Sequence, residues 1–243
     1  MSRHPRPPSR DVTDRASSTD SDDRPELPTA ALDVRGVAKD YGDGPALHET
    51  TLRVEVGQRV ALLGHNGSGK TTLLRIAAGL LDATNGEMRV FDEPPASLAA
   101  RRRLSYVADS PAFYDDLSVW EHLEYVARLH GVTHWEQRAA DLLGLLGIYE
   151  RADDLPHRFS RGLKQKAALA IGFIRPFDLL LVDEPFVGLD TDGRSALLGL
   201  LDEAASEGAT LLVATHELSF VDRVERVITL ADGRVCGDGP PGA

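Results

Sequence analysis

Gly64-His65-Asn66-Gly67-Ser68-Gly69-Lys70-Thr71 decides the reading of this chain. It matches G-x-x-x-x-G-K-[ST] in full, and both flanks fit the pattern. Arg59-Val-Ala-Leu-Leu63 before it is a short apolar run suited to a buried strand. Thr72-Leu-Leu-Arg-Ile-Ala-Ala-Gly-Leu-Leu81 after it is apolar at helical spacing. Strand, glycine loop and helix in that order make a phosphate site. Gly64, Gly67 and Gly69 let the backbone curl so that successive N–H groups face phosphate oxygens. A helix beginning near Gly69 adds its positive N-terminal end. Lys70 then reaches the β- and γ-phosphates, and the Thr71 hydroxyl holds Mg²⁺. The whole run from Gly64 to Thr72, with His65, Asn66, Ser68 and Thr72 included, is expected to contact a bound nucleoside triphosphate.

Further along, Leu179-Leu-Leu-Val-Asp183-Glu184-Pro185 is a buried strand with two acids at its C-terminal tip. In an open α/β sheet that tip is where ligands bind. With a phosphate loop in the same chain, Asp183 is expected to hold Mg²⁺. Glu184 is placed to accept a proton from a water attacking the γ-phosphorus. Thr210-Leu-Leu-Val-Ala214 is a second buried strand, ending in Thr215-His216-Glu217. His216 there is either a satisfied structural residue or a contact to a γ-phosphate oxygen. Ser160 and Gly162 open a strong helix over 167–174, where a hydroxyl and free N–H groups form a second anion site. Tyr41, in the turn-rich Lys39-Asp-Tyr-Gly-Asp-Gly44, is either a base-stacking ring or a half-buried loop tyrosine.

The remaining pattern is mixed. Residues 32–37 and 51–56 read as strands, the latter with Val54 and Val56 on one face. Asn85–Val90 reads as a turn and strand, 97–103 as a short helix and Leu104–Val107 as a strand. Ser118-Val-Trp-Glu121 and Thr133-His-Trp-Glu136 are both S/T-x-x-E capping boxes, each opening a helix. Leu123, Val126, Ala127 and Leu129 stripe the first helix, and Ala139, Leu142, Leu143 and Leu146 the second. His122, His130 and His134 read as solvated helix histidines rather than metal ligands. A helix over 193–207 follows, and residues 226–236 close the chain as a hairpin around Asp232-Gly233.

At 243 residues the chain suits one large domain or a domain with a subdomain, and 42% apolar with 27% charged residues is a soluble composition. A net charge of −11 argues against a nucleic-acid surface, which is basic. Cys236 is the single cysteine, so no intrachain disulfide or cysteine-rich metal site is available. No apolar run approaches the roughly 18 residues of a membrane span, and residues 1–30 lack a signal-peptide core. A cytoplasmic protein is expected. Residues 1–30, with five arginines against six acids and almost no large apolar side chain, read as a disordered tail.

Together these motifs resemble the nucleotide-binding subunit of an ABC transporter, over residues 32–238. Tyr41 is similar to the adenine-stacking loop, Gly64–Thr71 to Walker A, and Ser160-Arg161-Gly162 to the signature loop. Leu179–Glu184 resembles Walker B with its catalytic glutamate, Val187–Asp190 the D-loop and His216 the switch histidine. The stretch 111–130 and the Lys-Gln-Lys after the signature resemble exporter-type ATPases with separate membrane subunits. The resemblance implies an α/β P-loop NTPase with a mixed sheet core, an N-terminal antiparallel β subdomain and an inserted helical subdomain over about 112–175, within a domain spanning 31–243. It implies ATP and Mg²⁺, and two subunits, alike or different, closing head to tail over two ATP. Each ATP then lies between one subunit's phosphate loop and the other's Ser160–Gly162, with Asp190 linking the sites. It implies an integral membrane permease as partner and a place on the inner face of the cell membrane.

Two motifs depart from the family pattern, at Asp109 and at Arg161 and Leu163. A glutamine is usual where Asp109 stands, contacting Mg²⁺; the shorter, anionic Asp109 would reach the metal through a bridging water. The signature is usually Ser-Gly-Gly-Gln and here reads Ser-Arg-Gly-Leu. Hydrolysis is expected to survive both. The alternative function is a soluble ABC ATPase serving an assembly such as iron–sulfur cluster building. A DNA-repair ATPase would need a long coiled coil between Lys70 and Ser160, which stand only 90 positions apart.

Overall fold

The computed structural model describes residues 30–242, so the expected tail lies outside the described residues apart from Ala30. Ala30 itself opens the first strand and is buried.

Two sheets build the chain. Strands β1 (Ala30–Asp40), β2 (Pro45–Glu55) and β4 (Asn85–Val90) form an antiparallel sheet in the order β2-β1-β4. Strands β3 (Arg59–Leu63), β5 (Leu104–Val107), β6 (Leu179–Asp183), β7 (Thr210–Ala214), β8 (Arg226–Ala231) and β9 (Arg234–Gly239) form the second. Its order is β5-β6-β7-β3-β8-β9, parallel throughout except for the β8–β9 hairpin. Asp232 and Gly233 both take positive φ at the hairpin turn, as an Asp-Gly pair permits.

The parallel sheet is covered on both faces, so its strands read as continuous apolar runs. Alternation splits β6 between two cores: Leu180 and Val182 join one, Leu179 and Leu181 the other. The first core contains α3 (Val119–Leu129), α4 (Trp135–Leu145), α5 (Arg161–Phe173) and α6 (Thr191–Ser206). The second packs α1 (Lys70–Ala77) and the antiparallel sheet against the opposite face. A short helix, α2 (Leu98–Arg103), capped by Ser97, leads directly into β5. Helices α3 to α5 stand between β5 and β6, where the inserted helical subdomain was expected.

Arg175 fastens this helical layer to the sheet. It is buried, and its guanidinium donates to the carbonyls of Arg101, Arg102, Leu104 and Pro176. Burial lowers its pKa.

Several local expectations are corrected. The strand carrying Val54 ends at Glu55, so Val56 sits in the following turn, 47% exposed rather than beside Val54. The first capping box forms, with Ser118 and Glu121 exchanging hydrogen bonds. The second does not: the turn after Gly131 puts His134, in the left-handed region, at the cap of α4, one residue beyond Thr133. Leu129 leaves the stripe and is 66% exposed, because six residues past Leu123 is roughly 240° around a helix. His122 is not solvated. It is buried, the Tyr114 N–H donates to its Nε2 at 2.9 Å, and Nδ1 therefore carries the proton donated to the Ser118 carbonyl. Among the described residues, none of these histidines joins a metal-binding group.

Candidate active site

Four parallel strands end on one edge, and each delivers part of the site there: β3 the glycine loop, β5 Asp109, β6 Asp183 and Glu184, β7 His216. A cleft of about 580 Å³ opens along that edge.

The glycine loop has the conformation its sequence demands. Gly64, Gly67 and Gly69 have φ of 151°, 82° and 102°, and Gly69 caps α1. A Cβ on Gly64 would lie 2.3 Å from the Leu230 carbonyl oxygen and 2.4 Å from Ser68 Oγ. Asn66, Gly67, Ser68, Gly69, Lys70, Thr71 and Thr72 line the cleft. Lys70 is buried and folds back over the loop, donating to the Gly64 carbonyl at 2.6 Å and the His65 carbonyl at 3.4 Å. Thr71 Oγ1 donates to Asp183 Oδ2 at 2.6 Å.

Asp183 is buried, which pushes its carboxyl up; the Thr71 hydrogen bond opposes this, and the charges of Asp109 and Glu184 add to it. Glu184 holds φ of +46°, an unfavourable conformation for a non-glycine residue, and its N–H donates to the Ala214 carbonyl. Its Oε1 lies 3.4 Å from Lys70 Nζ and 3.2 Å from His216 Nε2, though neither contact has hydrogen-bond geometry. Behind His216, Arg194 on α6 joins Glu217 at 2.5 Å and reaches the Leu189 carbonyl at 3.4 Å.

Three buried polar atoms at the cleft accept no hydrogen bond from the protein: Ser68 Oγ, Asp183 Oδ1 and Glu184 Oε1. Buried polar groups are normally satisfied, so their clustering here fits a polar ligand. Asp183 Oδ1 beside the Thr71 hydroxyl fits Mg²⁺, which is commonly bound through one or two protein oxygens together with substrate phosphates.

The chain's own fold does not bring every expected site residue to this cleft. Tyr41 is 57% exposed, with Lys39 Nζ 5.4 Å from its ring centroid, and does not line it. His65 turns away toward Asp232, 3.3 Å distant. Ser160 caps α5 by accepting from the Leu163 N–H, and Gly162 packs against Gly188; neither lines the cleft. Asp190 caps α6 and pairs with the buried Lys166 at 2.9 Å, which with the Gly193 N–H holds its carboxyl below the usual range. Ala46, Arg161 and Val187 line the cleft and were not expected there. Arg161 carried a signal in its departure from the usual signature and Val187 in its place at the start of the D-loop stretch; Ala46 carries none.

Residues 47–187 match the family model described as ABC transporter. This chain belongs to the ABC transporter family. The SkfA peptide export ATP-binding protein SkfE of Bacillus subtilis is 31% identical over 85% of this chain and 88% of its own length. The ABC-type transporter ATP-binding protein EcsA of the same organism is 34% identical, covering 86% of each. Among solved structures, an ATP-binding subunit of an ABC transporter superposes with a TM-score of 0.80 at 29% identity, over 88% of this chain and 95% of that one. A dimeric ATP-binding cassette in a post-hydrolysis state, bound to ADP and Pi, also gives 0.80 at 25% identity, over 87% and 99%. The chain is an ABC ATPase with the P-loop fold. Among the described residues no helix is long and apolar enough to cross a membrane.

Proposed function

We propose that this subunit hydrolyses ATP in a head-to-tail pair and thereby drives export through a separate integral membrane permease. The observation that carries the chemistry is Glu184, held between Lys70 and His216 beside the unpartnered oxygen of Asp183. The glycine loop binds the phosphates and Lys70 swings from the loop carbonyls to the β- and γ-phosphates. Thr71 and Asp183 hold Mg²⁺, which when bound neutralises charge on the phosphate oxygens. Glu184 accepts the proton of the attacking water and His216 holds a γ-phosphate oxygen.

Ser160 and Gly162 lie outside the subunit's own cleft, and in a head-to-tail pair they face the partner's nucleotide, with Asp190 between the sites. The dimeric relative bound to ADP and Pi supports pairing of two subunits. Export is favoured because relatives matched over most of their length include a peptide export ATP-binding protein. A permease partner places the subunit peripherally, on the inner face of the cell membrane.

Glu184→Gln, tagged and purified with ATP from gently solubilised cells, tests the assignment. Co-purification of a membrane protein with several spans supports it. Soluble partners alone overturn the transport role while leaving the ATPase chemistry intact.

A further inference from the structure

Six ionisable side chains line the nucleotide cleft: Asp109, Asp183 and Glu184 against Lys70, Arg161 and His216. A polyphosphate entering this space meets three carboxylates, and each of them needs a counter-charge or a metal. Lys70 and His216 both lie against Glu184. Asp183 accepts from Thr71 and keeps Oδ1 free, the arrangement that suits a cation. Asp109 takes the remaining base. Arg161 Nη2 donates to its Oδ1 at 2.8 Å, and Ser110 Oγ donates to its Oδ2 at 3.4 Å. Both oxygens of Asp109 therefore have donors, and the guanidinium supplies the counter-charge that a metal would otherwise provide.

The two residues stand 52 positions apart, Asp109 on the loop after β5 and Arg161 at the first position of α5. They are two of the three residues at which the motifs depart from the family pattern, one from each motif, and they meet. Their side chains are 38% and 63% exposed, so the pair adds little to folding. Its effect is on the field inside the cleft.

We propose that Arg161 is a positioning residue of the nucleotide cleft, neutralising Asp109 so that this carboxylate neither opposes the triphosphate nor joins the metal. The proposal rests on the ATPase reading. It makes Asp109 and Arg161 one compensated change: an acid placed where phosphates bind, and an arginine that cancels it. Because the pair faces solvent, the compensation weakens as salt rises.

Calorimetric titration of the full chain with ATP and with ADP, in EDTA and again with Mg²⁺, tests it. In Arg161→Gln the unmasked Asp109 weakens ATP binding about five-fold, the upper range for an exposed pair, and ADP binding less. Asp109→Asn alone tightens ATP binding by up to about five-fold, because one anion leaves the cleft and Arg161 stays. In the double variant ATP affinity returns to within about two-fold of the original, and Arg161→Lys retains most of it. A double variant as weak as Arg161→Gln alone overturns the proposal, since Arg161 would then grip phosphate itself. Unchanged affinities in both single variants overturn it as well. Failure of the unaltered chain to bind ATP at all would instead strike the nucleotide reading, and is seen before any variant is compared.

Discussion

Thr71 Oγ1 donates to Asp183 Oδ2 at 2.6 Å, tying the first turn of α1 to the tip of β6 across 112 residues of chain. The bond closes one side of Asp183 and leaves Oδ1 buried without a partner. In the free subunit this is a costly arrangement, because an unsatisfied buried acceptor destabilises by about 1–3 kcal/mol.

Asp183→Asn should therefore separate stability from activity. Burial raises the folded-state pKa of Asp183 above its unfolded value. The charge thus costs stability at every pH above the unfolded value of about 3.9, and costs nothing below it. At neutral pH the nucleotide-free variant should melt higher by roughly 2–4 °C, as about 1 kcal/mol does in a chain this size, and the gain should vanish near pH 3. Its Mg²⁺-dependent hydrolysis should fall about 10²–10³-fold. Scanning calorimetry at both pH values and phosphate release check the two halves.

Glu184→Gln keeps the side chain's size and removes the proton acceptor. ATP binding should persist while turnover drops ~10²–10⁴-fold, the contribution of a general base. Light scattering should show a dimer with ATP that disperses on exchange into ADP. Unaltered turnover would remove Glu184 from the mechanism.

A pair of glycine variants tests how tightly the signature loop is seated. A Cβ on Gly162 would lie 2.4 Å from the Gly188 carbonyl oxygen, a backbone atom that no rotamer change can move aside. Gly162→Ala should cost about 1–3 kcal/mol in urea unfolding and slow hydrolysis, since the displaced segment carries Asp190. Gly144, on the exposed face of α4 with nothing within 4 Å, is the control. Gly144→Ala should stabilise by about 0.5–1 kcal/mol.

Arg175→Ala should be among the most damaging changes remote from the cleft. It removes the donor to the buried Leu104 carbonyl and to the part-buried carbonyls of Arg101 and Arg102 at the α2–β5 junction, the first at about 1–3 kcal/mol if left dry. The midpoint of urea unfolding should drop clearly. Arg175→Lys should recover only part of the loss, because one ammonium cannot span the same set of carbonyls.

Where the local pattern has a single outcome, the sequence was legible. The apolar runs at 59–63, 179–182 and 210–214 are strands because a doubly covered parallel sheet tolerates nothing else there. The glycine loop and the Asp232-Gly233 turn need backbone that few residues supply. What escaped depends on partners distant in the chain. Nothing near Arg161 announces Asp109, and nothing near His122 announces that the Tyr114 N–H will meet its ring. The polar character of His122 pointed outward, and a buried donor–acceptor pair overrode it. Leu129 failed for a simpler reason: its place in the apolar run outweighed its angle on the helix.

β3 carries the phosphate loop, yet both strands hydrogen-bonded to it, β7 and β8, come from the last third of the chain. During synthesis residues 59–63 emerge early, and their strand partners follow only at residues 211–214 and 226–229. Contacts this distant in sequence form slowly. A ribosome therefore completes almost the entire cassette before any nucleotide pocket exists. Prematurely terminated products present an unpaired apolar strand, a substrate for chaperones and proteases, and do not compete with finished subunits for ATP.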